Sequence, residues 1–237
     1  MEDRLAIYHE RTRERGVNLY VSWVARALLQ PFFHVYFRLR RGGRHHIPDG
    51  PVILAANHRS FLDPFVIGCC LGRPIYFVAK QELFENRLAG WVLNCLGAFP
   101  VRRGESDAES VKTALMLLER GAAVVIFPEG TRHKSGPLGA PKRGVGRLAL
   151  ASGAPVVPIA VKGSDRVRRG ALFLPARVDI RCGRPLTYPH LENPSAHLAN
   201  EVTARIWPCV ELQWAWLGGV MPPSPDTAQQ EPERLAA

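Results

Sequence analysis

Between residues 50 and 182, short apolar runs alternate with helix-patterned segments, and this alternation decides which folds are open to the chain. Residues 51–56 (PVILAA), 123–127 (AVVIF) and 156–161 (VVPIAV) are continuous apolar runs bounded by turn residues, as for strands buried on both faces. Residues 75–79 and 99–101 are shorter strand candidates, and 177–182 reads as an edge strand. Helices are predicted between them. One spans 63–71, opening on a capping Asp63 with Pro64 behind it. Others span 82–96, 107–120 and a stretch near 145–152, with one or two more over 196–217. In the 107–120 segment Val111, Ala114, Leu115 and Leu118 follow helical spacing, Ser106 and Glu109 make a capping box, and Gly121 ends the pattern. Repeated β–α–β steps predict an α/β fold with a largely parallel sheet flanked by helices.

The N-terminal region has a different character. Residues 1–16 balance four acidic against four basic side chains and read as a solvated helix or a frayed arm. Residues 17–37 hold Trp23, Phe32, Phe33, Tyr36 and Phe37, with Arg26 as the sole full charge and Pro31 as an interruption. Arg38, Arg40, Arg41 and Arg44 follow at once. Two apolar helices hinged at a proline and followed by a basic cluster fit an amphipathic two-helix membrane-docking element, or else a helix pair packed on the core. The expected organisation is an N-terminal element over 1–44, one domain over 45–221, and a proline-rich disordered tail over 222–237. Apolar runs stay shorter than the roughly 20 residues of a membrane-spanning helix, which argues against a polytopic membrane protein.

Charge narrows the partners. The net charge is +10, and lysine occurs only at 80, 112, 134, 142 and 162, so arginine carries the surplus. Forked guanidinium groups suit phosphate or carboxylate ligands, although arginine-rich solvated surface gives the same count. Nucleic-acid binding would interleave aromatics with the basic residues, whereas the aromatics here gather in the nearly uncharged 17–37 run. No nucleic-acid partner is expected. Five cysteines, at 69, 70, 95, 182 and 209, form no CxxC pair and follow no secretory leader, as expected of a reduced, cytoplasm-facing chain. Cys69 and Cys70 read as core, and His45-His46 as a solvated pair. No metal-ligand motif and no nucleotide-binding glycine motif is present. Gly104-Glu105-Ser106-Asp107-Ala108 departs from a nucleophile elbow at its last position.

Three segments could carry chemistry, and each follows a strand, where ligands sit in an open α/β sheet. In Asn57-His58-Arg59-Ser60-Phe61-Leu62-Asp63, a carboxylate five residues from a histidine can orient it and stabilise its imidazolium form; alternatively, Asp63 only caps a helix. In Phe127-Pro128-Glu129-Gly130-Thr131-Arg132, Gly130 allows close backbone approach, Thr131 offers a hydroxyl and Arg132 a forked cation. Glu129 could take a substrate proton or hold Arg132. Arg102 and Arg103 stand just before a helix N-terminus, where an anion is already favoured. Together these describe a base beside a phosphate cradle.

The order Asn57-His58-x-Ser60-x-x-Asp63, Gly97…Val101-x-Arg103, Phe127-Pro128-Glu129-Gly130-Thr131-Arg132 and Val157-Pro158-Ile159 resembles the four blocks of the glycerolipid acyltransferases. The resemblance covers about residues 45–165 and is nearest to the bacterial lysophosphatidate type. Pro100 and Arg102 depart from the second block's usual pattern. The resemblance implies a thioester-dependent acyltransferase making phosphatidate from 1-acylglycerol-3-phosphate, with acyl-CoA or acyl carrier protein as co-substrate and no resident cofactor or metal. By the same resemblance His58 is the general base and Asp63 its orienting partner, with no acyl-enzyme. Arg102, Arg103, Glu129, Gly130, Thr131 and Arg132 bind the acceptor, and the fourth block relates to the acyl channel or is plain core. Lys142-Arg143 could meet the donor's phosphates on charge grounds. A peripheral or monotopic enzyme on the cytoplasmic face of the membrane, docked on anionic lipid, is the expected setting. The same chemistry on glycerol-3-phosphate or another lysophospholipid, or a basic non-catalytic lipid- or nucleic-acid-binding protein, are the competing readings.

Overall fold

The computed structural model describes residues 2–102, 107–169 and 172–219. Seven strands form one sheet in the order β1-β9-β6-β2-β5-β3-β4. At its centre lie β2 (Val52–Ala56), β5 (Ala123–Ile126), β3 (Ile75–Lys80) and β6 (Val156–Lys162), each parallel to its neighbour. β4 (Ala98–Val101) closes one side, parallel to β3. On the other side β9 (Asp179–Cys182) runs antiparallel to β6, and β1 (Arg40–Gly42) runs parallel to β9. The sheet is largely parallel, as the β–α–β alternation predicts.

The two-residue period of a strand sends alternate side chains to opposite faces, and here both faces are covered. Val52, Leu54 and Ala56 join a core with Phe33, Phe37, Val66 and Ile67, under α2 (Leu19–Val35) and α3 (Asp63–Gly68). Ile53 and Ala55 face the second core, built by α5 (Ala108–Glu119), α6 (Gly144–Ser152) and α7 (Ala196–Trp216). That double burial is why the strand sequences are apolar throughout rather than alternating.

Several expectations are corrected. α1 (Glu2–Arg15) is neither a frayed arm nor wholly solvated, because His9 and Thr12 are buried. The His9 ring Nδ1 meets Thr113 Oγ1 of α5 at 2.9 Å, and Asn94 of α4 (Arg87–Cys95) donates to Thr12 Oγ1 at 2.7 Å. Residues 19–35 form one helix rather than two hinged at Pro31. A proline interrupts a helix by removing one N–H bond and crowding the preceding turn. Burial of Phe33 and Phe37 outweighs that here, helped by the Arg26 guanidinium, which donates to the carbonyls of Leu71 and Arg73. The predicted helix over 82–96 is a 3₁₀ turn at Gln81–Phe84 followed by α4, which Asn86 caps by accepting from Leu88 and Ala89.

The strand over 179–182 is not at the edge. The short run Arg40–Gly42 pairs along its free side, so part of the basic cluster after the apolar run is an edge strand, with Arg40 and Arg41 exposed. α5 is capped by Asp107, whose side chain accepts from Ser110 N, where the sequence suggested Ser106; Ser106 lies outside the described residues. α7 is a single helix running through Pro208. The tail over 222–237 also lies outside the described residues. Cys69, Cys70, Cys95 and Cys182 are buried free thiols, as core cysteines would be. Of the histidine pair, His45 is exposed, while the His46 ring meets the Cys182 carbonyl at 3.1 Å.

Candidate active site

β2 and β5 are neighbours with Ala55 opposite Ile126, so the segments that follow them leave the sheet at the same end. Asn57 steers the first. Its amide donates to Val161 O at 3.0 Å and accepts from Val161 N at 2.7 Å, continuing the β2–β6 pairing with a side chain where the backbone has begun to turn. The next residue, His58, is thereby delivered to the sheet's carboxyl end.

The loop from His58 to Ser60 wraps around one carboxylate oxygen. Asp63 Oδ2 accepts from His58 Nδ1 at 2.8 Å and from the backbone N–H groups of Arg59 and Ser60, each at 2.7 Å. Asp63 makes no side-chain cap on α3, whose N-cap position is Leu62. Of the two arrangements the sequence allowed, the carboxylate adopts the one that faces the histidine and not the helix cap. A carboxylate only accepts, so Nδ1 carries the ring proton and Nε2 is left as the basic nitrogen. The imidazole lies nearly flat on Phe127, with centroids 4.0 Å apart and planes at 21°, and the residue is 8% exposed. Its ring is fixed by one polar and one aromatic contact, with an edge still open to the surface.

Glu129 does neither thing proposed for it from sequence. It is buried, and its two oxygens accept the backbone N–H groups of His58 (2.7 Å) and Gly139 (2.8 Å). His133 Nε2 stands 3.7 Å from it. Burial pushes its carboxyl above the usual glutamate range, against the lowering effect of those two N–H groups. It braces two loops.

Gly130 has φ +66°, and a Cβ there would stand 3.2 Å from the Lys142 side chain, so this turn needs glycine. Thr131 and Arg132 follow it at the surface, and Lys142 and Arg143 are exposed beside them. Lys134 is exposed in the same loop. Arg102 is exposed at the end of β4, where its N–H donates to Asp107 Oδ2 at 2.8 Å. β5 and β3 separate β4 from β2, which puts Arg102 about three strand spacings, ~14 Å, from His58's strand. Arg103 lies outside the described residues. Val157, Pro158 and Ile159 are buried in β6, in the centre of the sheet, as plain core.

Sequence reasoning passed over Arg59. It is 2% exposed, and burial lowers its pKa. Its two terminal nitrogens donate to His133 O at 2.7 Å and Gly136 O at 2.6 Å, and the guanidinium lies 4.5 Å from the Trp214 ring centre on α7. His133 N in turn donates to His58 O at 2.9 Å. The loop carrying Thr131 and Arg132 is therefore tied to the His58 loop at four places, by Arg59 twice, by Glu129 and by His133. The one signal in the sequence was an arginine directly after the histidine; nothing local marked carbonyls more than seventy residues away.

Comparison with known proteins accords with this arrangement. Residues 38–162 match the family model described as Acyltransferase. A chloroplastic 1-acyl-sn-glycerol-3-phosphate acyltransferase of Arabidopsis thaliana is 34% identical over 136 residues, 56% of this chain and 38% of that protein. The 1-acyl-sn-glycerol-3-phosphate acyltransferase of Bacillus subtilis is 35% identical over 154 residues, 62% of this chain and 75% of that protein. The matched part thus spans well under half of the plant relative and three-quarters of the bacterial one. Among solved structures, the 1-acyl-sn-glycerophosphate acyltransferase PlsC of Thermotoga maritima superposes with a TM-score of 0.58 at 21% identity, covering 88% of this chain and 94% of that one. That likeness concerns the fold.

Proposed function

Since the chain belongs to the Acyltransferase family, we propose that it moves a fatty acyl group from a thioester donor to the sn-2 hydroxyl of 1-acylglycerol-3-phosphate, giving phosphatidate. The observation that carries the chemistry is the 2.8 Å contact between His58 Nδ1 and Asp63 Oδ2 at the carboxyl end of a parallel sheet. His58 Nε2 takes the acceptor hydroxyl's proton as the oxygen bonds to the thioester carbonyl carbon. The Asp63 carboxylate stabilises the imidazolium that results. When the tetrahedral adduct collapses, the C–S bond breaks and the imidazolium returns its proton to the departing thiolate. No acyl-enzyme is needed, because the base and the attacking hydroxyl act in one addition.

Thr131 and Arg132, exposed beside the Gly130 turn, would meet the acceptor's phosphate. Arg102 would extend that basic rim along the strand ends, and the family resemblance adds Arg103 to the acceptor-binding set. A backbone N–H at the Gly130 turn would receive the oxyanion. The donor is acyl-CoA or an acyl carrier protein, with Lys142 and Arg143 facing its phosphates.

Docking on anionic lipid is supported by α2. Leu19, Tyr20, Trp23, Leu28 and Val35 are all exposed on it, beside a core-facing side that holds Phe33. No helix among the described residues is long and apolar enough to cross a membrane, so the element would lie in the interface rather than span it.

The test is thiol release from an acyl-thioester with lysophosphatidate and glycerol-3-phosphate offered side by side. Release with lysophosphatidate, reduced by roughly 100-fold or more in both His58→Ala and Asp63→Asn, is expected. Near-normal turnover in either variant would sink the mechanism. Release with glycerol-3-phosphate alone would keep the chemistry and replace the acceptor.

A further inference from the structure

One stretch of exposed apolar surface has no part in the reaction. After β6 the chain leaves the main sheet and returns to it at β9. On the way β7 (Arg168–Arg169) and β8 (Leu172–Phe173) pair antiparallel in a sheet of their own. Leu174 N donates to Val167 O at 2.9 Å, closing the base of this hairpin. The base is rooted, since Val167 and Val178 are both fully buried. Beyond it Leu172 is 69% exposed and Phe173 45%, and Leu174 is exposed as well. Three consecutive large apolar side chains are held out in water on an anchored support.

Two contacts fix where the hairpin stands. Tyr36, at the C-terminal end of α2, donates its hydroxyl to Phe173 O at 2.9 Å. The Phe173 ring lies 6.3 Å from that of Phe61, which is itself exposed in the loop between His58 and Asp63. Contacts therefore lead from Phe32, stacked on Tyr36 at the end of α2, through Tyr36 to Phe173 on the hairpin and on to Phe61 in the loop that carries His58. The hairpin lies beyond residue 162, where the family match ends. In the sequence, Arg166, Arg168 and Arg169 stand directly before the apolar residues, and the chain as a whole carries +10. An apolar edge behind a basic stretch, tied to the C-terminal end of the exposed apolar helix α2, matches an anionic bilayer better than a protein surface.

We propose that the Leu172–Phe173–Leu174 edge is a second membrane-inserting element, seated in an anionic bilayer next to the active-site loop. This rests on the docking reading for α2. The two elements together hold the opening above His58 at the level of the lipid headgroups, where the acceptor's phosphate and hydroxyl lie. α2 alone would tether the protein while leaving that opening free to tilt away.

The experiment uses the full chain and vesicles of equal parts phosphatidylcholine and phosphatidylglycerol. Sedimentation is measured for the wild type, for a hairpin variant (Leu172→Ser, Phe173→Ser, Leu174→Ser) and for an α2 variant (Trp23→Ser, Leu28→Ser). Point changes are needed on α2 because deleting it would remove Phe33 from the core. We expect the hairpin variant to partition about tenfold or more weakly than wild type. Its turnover on a short-chain lysophosphatidate below its micelle concentration should be unchanged, which also shows that it folds. Amide exchange over 167–174 should slow when vesicles are added to the wild type. A hairpin variant that partitions like wild type while the α2 variant does not would overturn the hairpin and leave the α2 reading standing. Wild-type partition in both variants would overturn both readings. Lost turnover on the soluble acceptor, or self-association of the wild type that the hairpin variant abolishes without a change in vesicle binding, would also overturn the proposal.

Discussion

Glu129 Oε1 accepts the backbone N–H of His58 at 2.7 Å, so the two sequence blocks most specific to this site are joined by a hydrogen bond in which neither supplies a reacting group. The other oxygen accepts from Gly139 at 2.8 Å. A buried carboxylate that acts only on backbone is a device for geometry. It sets the height of the histidine above the sheet and closes the loop that begins at Gly130.

Substitution at this brace has a definite expected result. Glu129→Gln keeps the shape but replaces one acceptor oxygen with a donor, which would face either the His58 or the Gly139 N–H. One buried N–H then loses its partner, at a cost of roughly 1–3 kcal/mol in stability. Turnover should fall with it because the His58 loop shifts. Urea unfolding and initial rates on the same preparation check this; unchanged stability would mean that the brace is not formed in solution.

Arg59 gives a sharper readout, because it touches the acceptor loop and not the base's imidazole. Lysine offers a single ammonium and cannot hold the His133 and Gly136 carbonyls together while stacking on Trp214. Arg59→Lys should raise the acceptor KM about tenfold or more, with the donor KM little changed. Trp214→Leu should show a weaker version, and the two changes should combine less than additively. Equal effects on both substrates would refute a positioning role confined to the acceptor loop.

His9, packed between α5 and β4 away from His58, predicts a pH dependence of stability. Burial lowers its pKa from the usual 6.5, with Asp107 and Glu109 raising it and Arg13 and Arg102 lowering it. The folded chain therefore holds His9 neutral where the unfolded chain has begun to protonate it. Stability is full above about pH 6.5 and declines as pH falls through that value, until the folded group's own lower pKa is reached. Thermal midpoints measured from about pH 7.5 to about pH 5 should fall more steeply for wild type than for His9→Gln. Parallel slopes would place the acid sensitivity elsewhere.

Much of this was legible along the chain. The runs at 52–56, 123–126 and 156–162 are strands because double burial demands continuous apolar sequence, and their order with intervening helices leaves a parallel sheet as the compact arrangement. The five-residue spacing of His58 and Asp63 anticipated the contact between them, since a turn of that length lets the carboxylate reach back to the ring.

Other features depended on what arrives from elsewhere in the chain. Whether residues 179–182 form an edge or an inner strand turns on Arg40–Gly42 pairing beside them from about 140 residues away, and three residues carry too little pattern to announce a strand. Whether residues 19–35 break at Pro31 turns on the packing of Phe33 and Phe37, which outweighs the local penalty. At the site, sequence supplied residues able to bond but not their partners. Asp63 could cap or orient, Glu129 could take a substrate proton or hold Arg132, and Arg59 had no assigned role. A buried polar group must find the donors or acceptors that the fold puts within about 3 Å of it, and those come from loops distant in sequence. Residue types and their periodicity determined the sheet and the chemical inventory, while tertiary contacts decided which members of that inventory face the substrate and which hold the others in place.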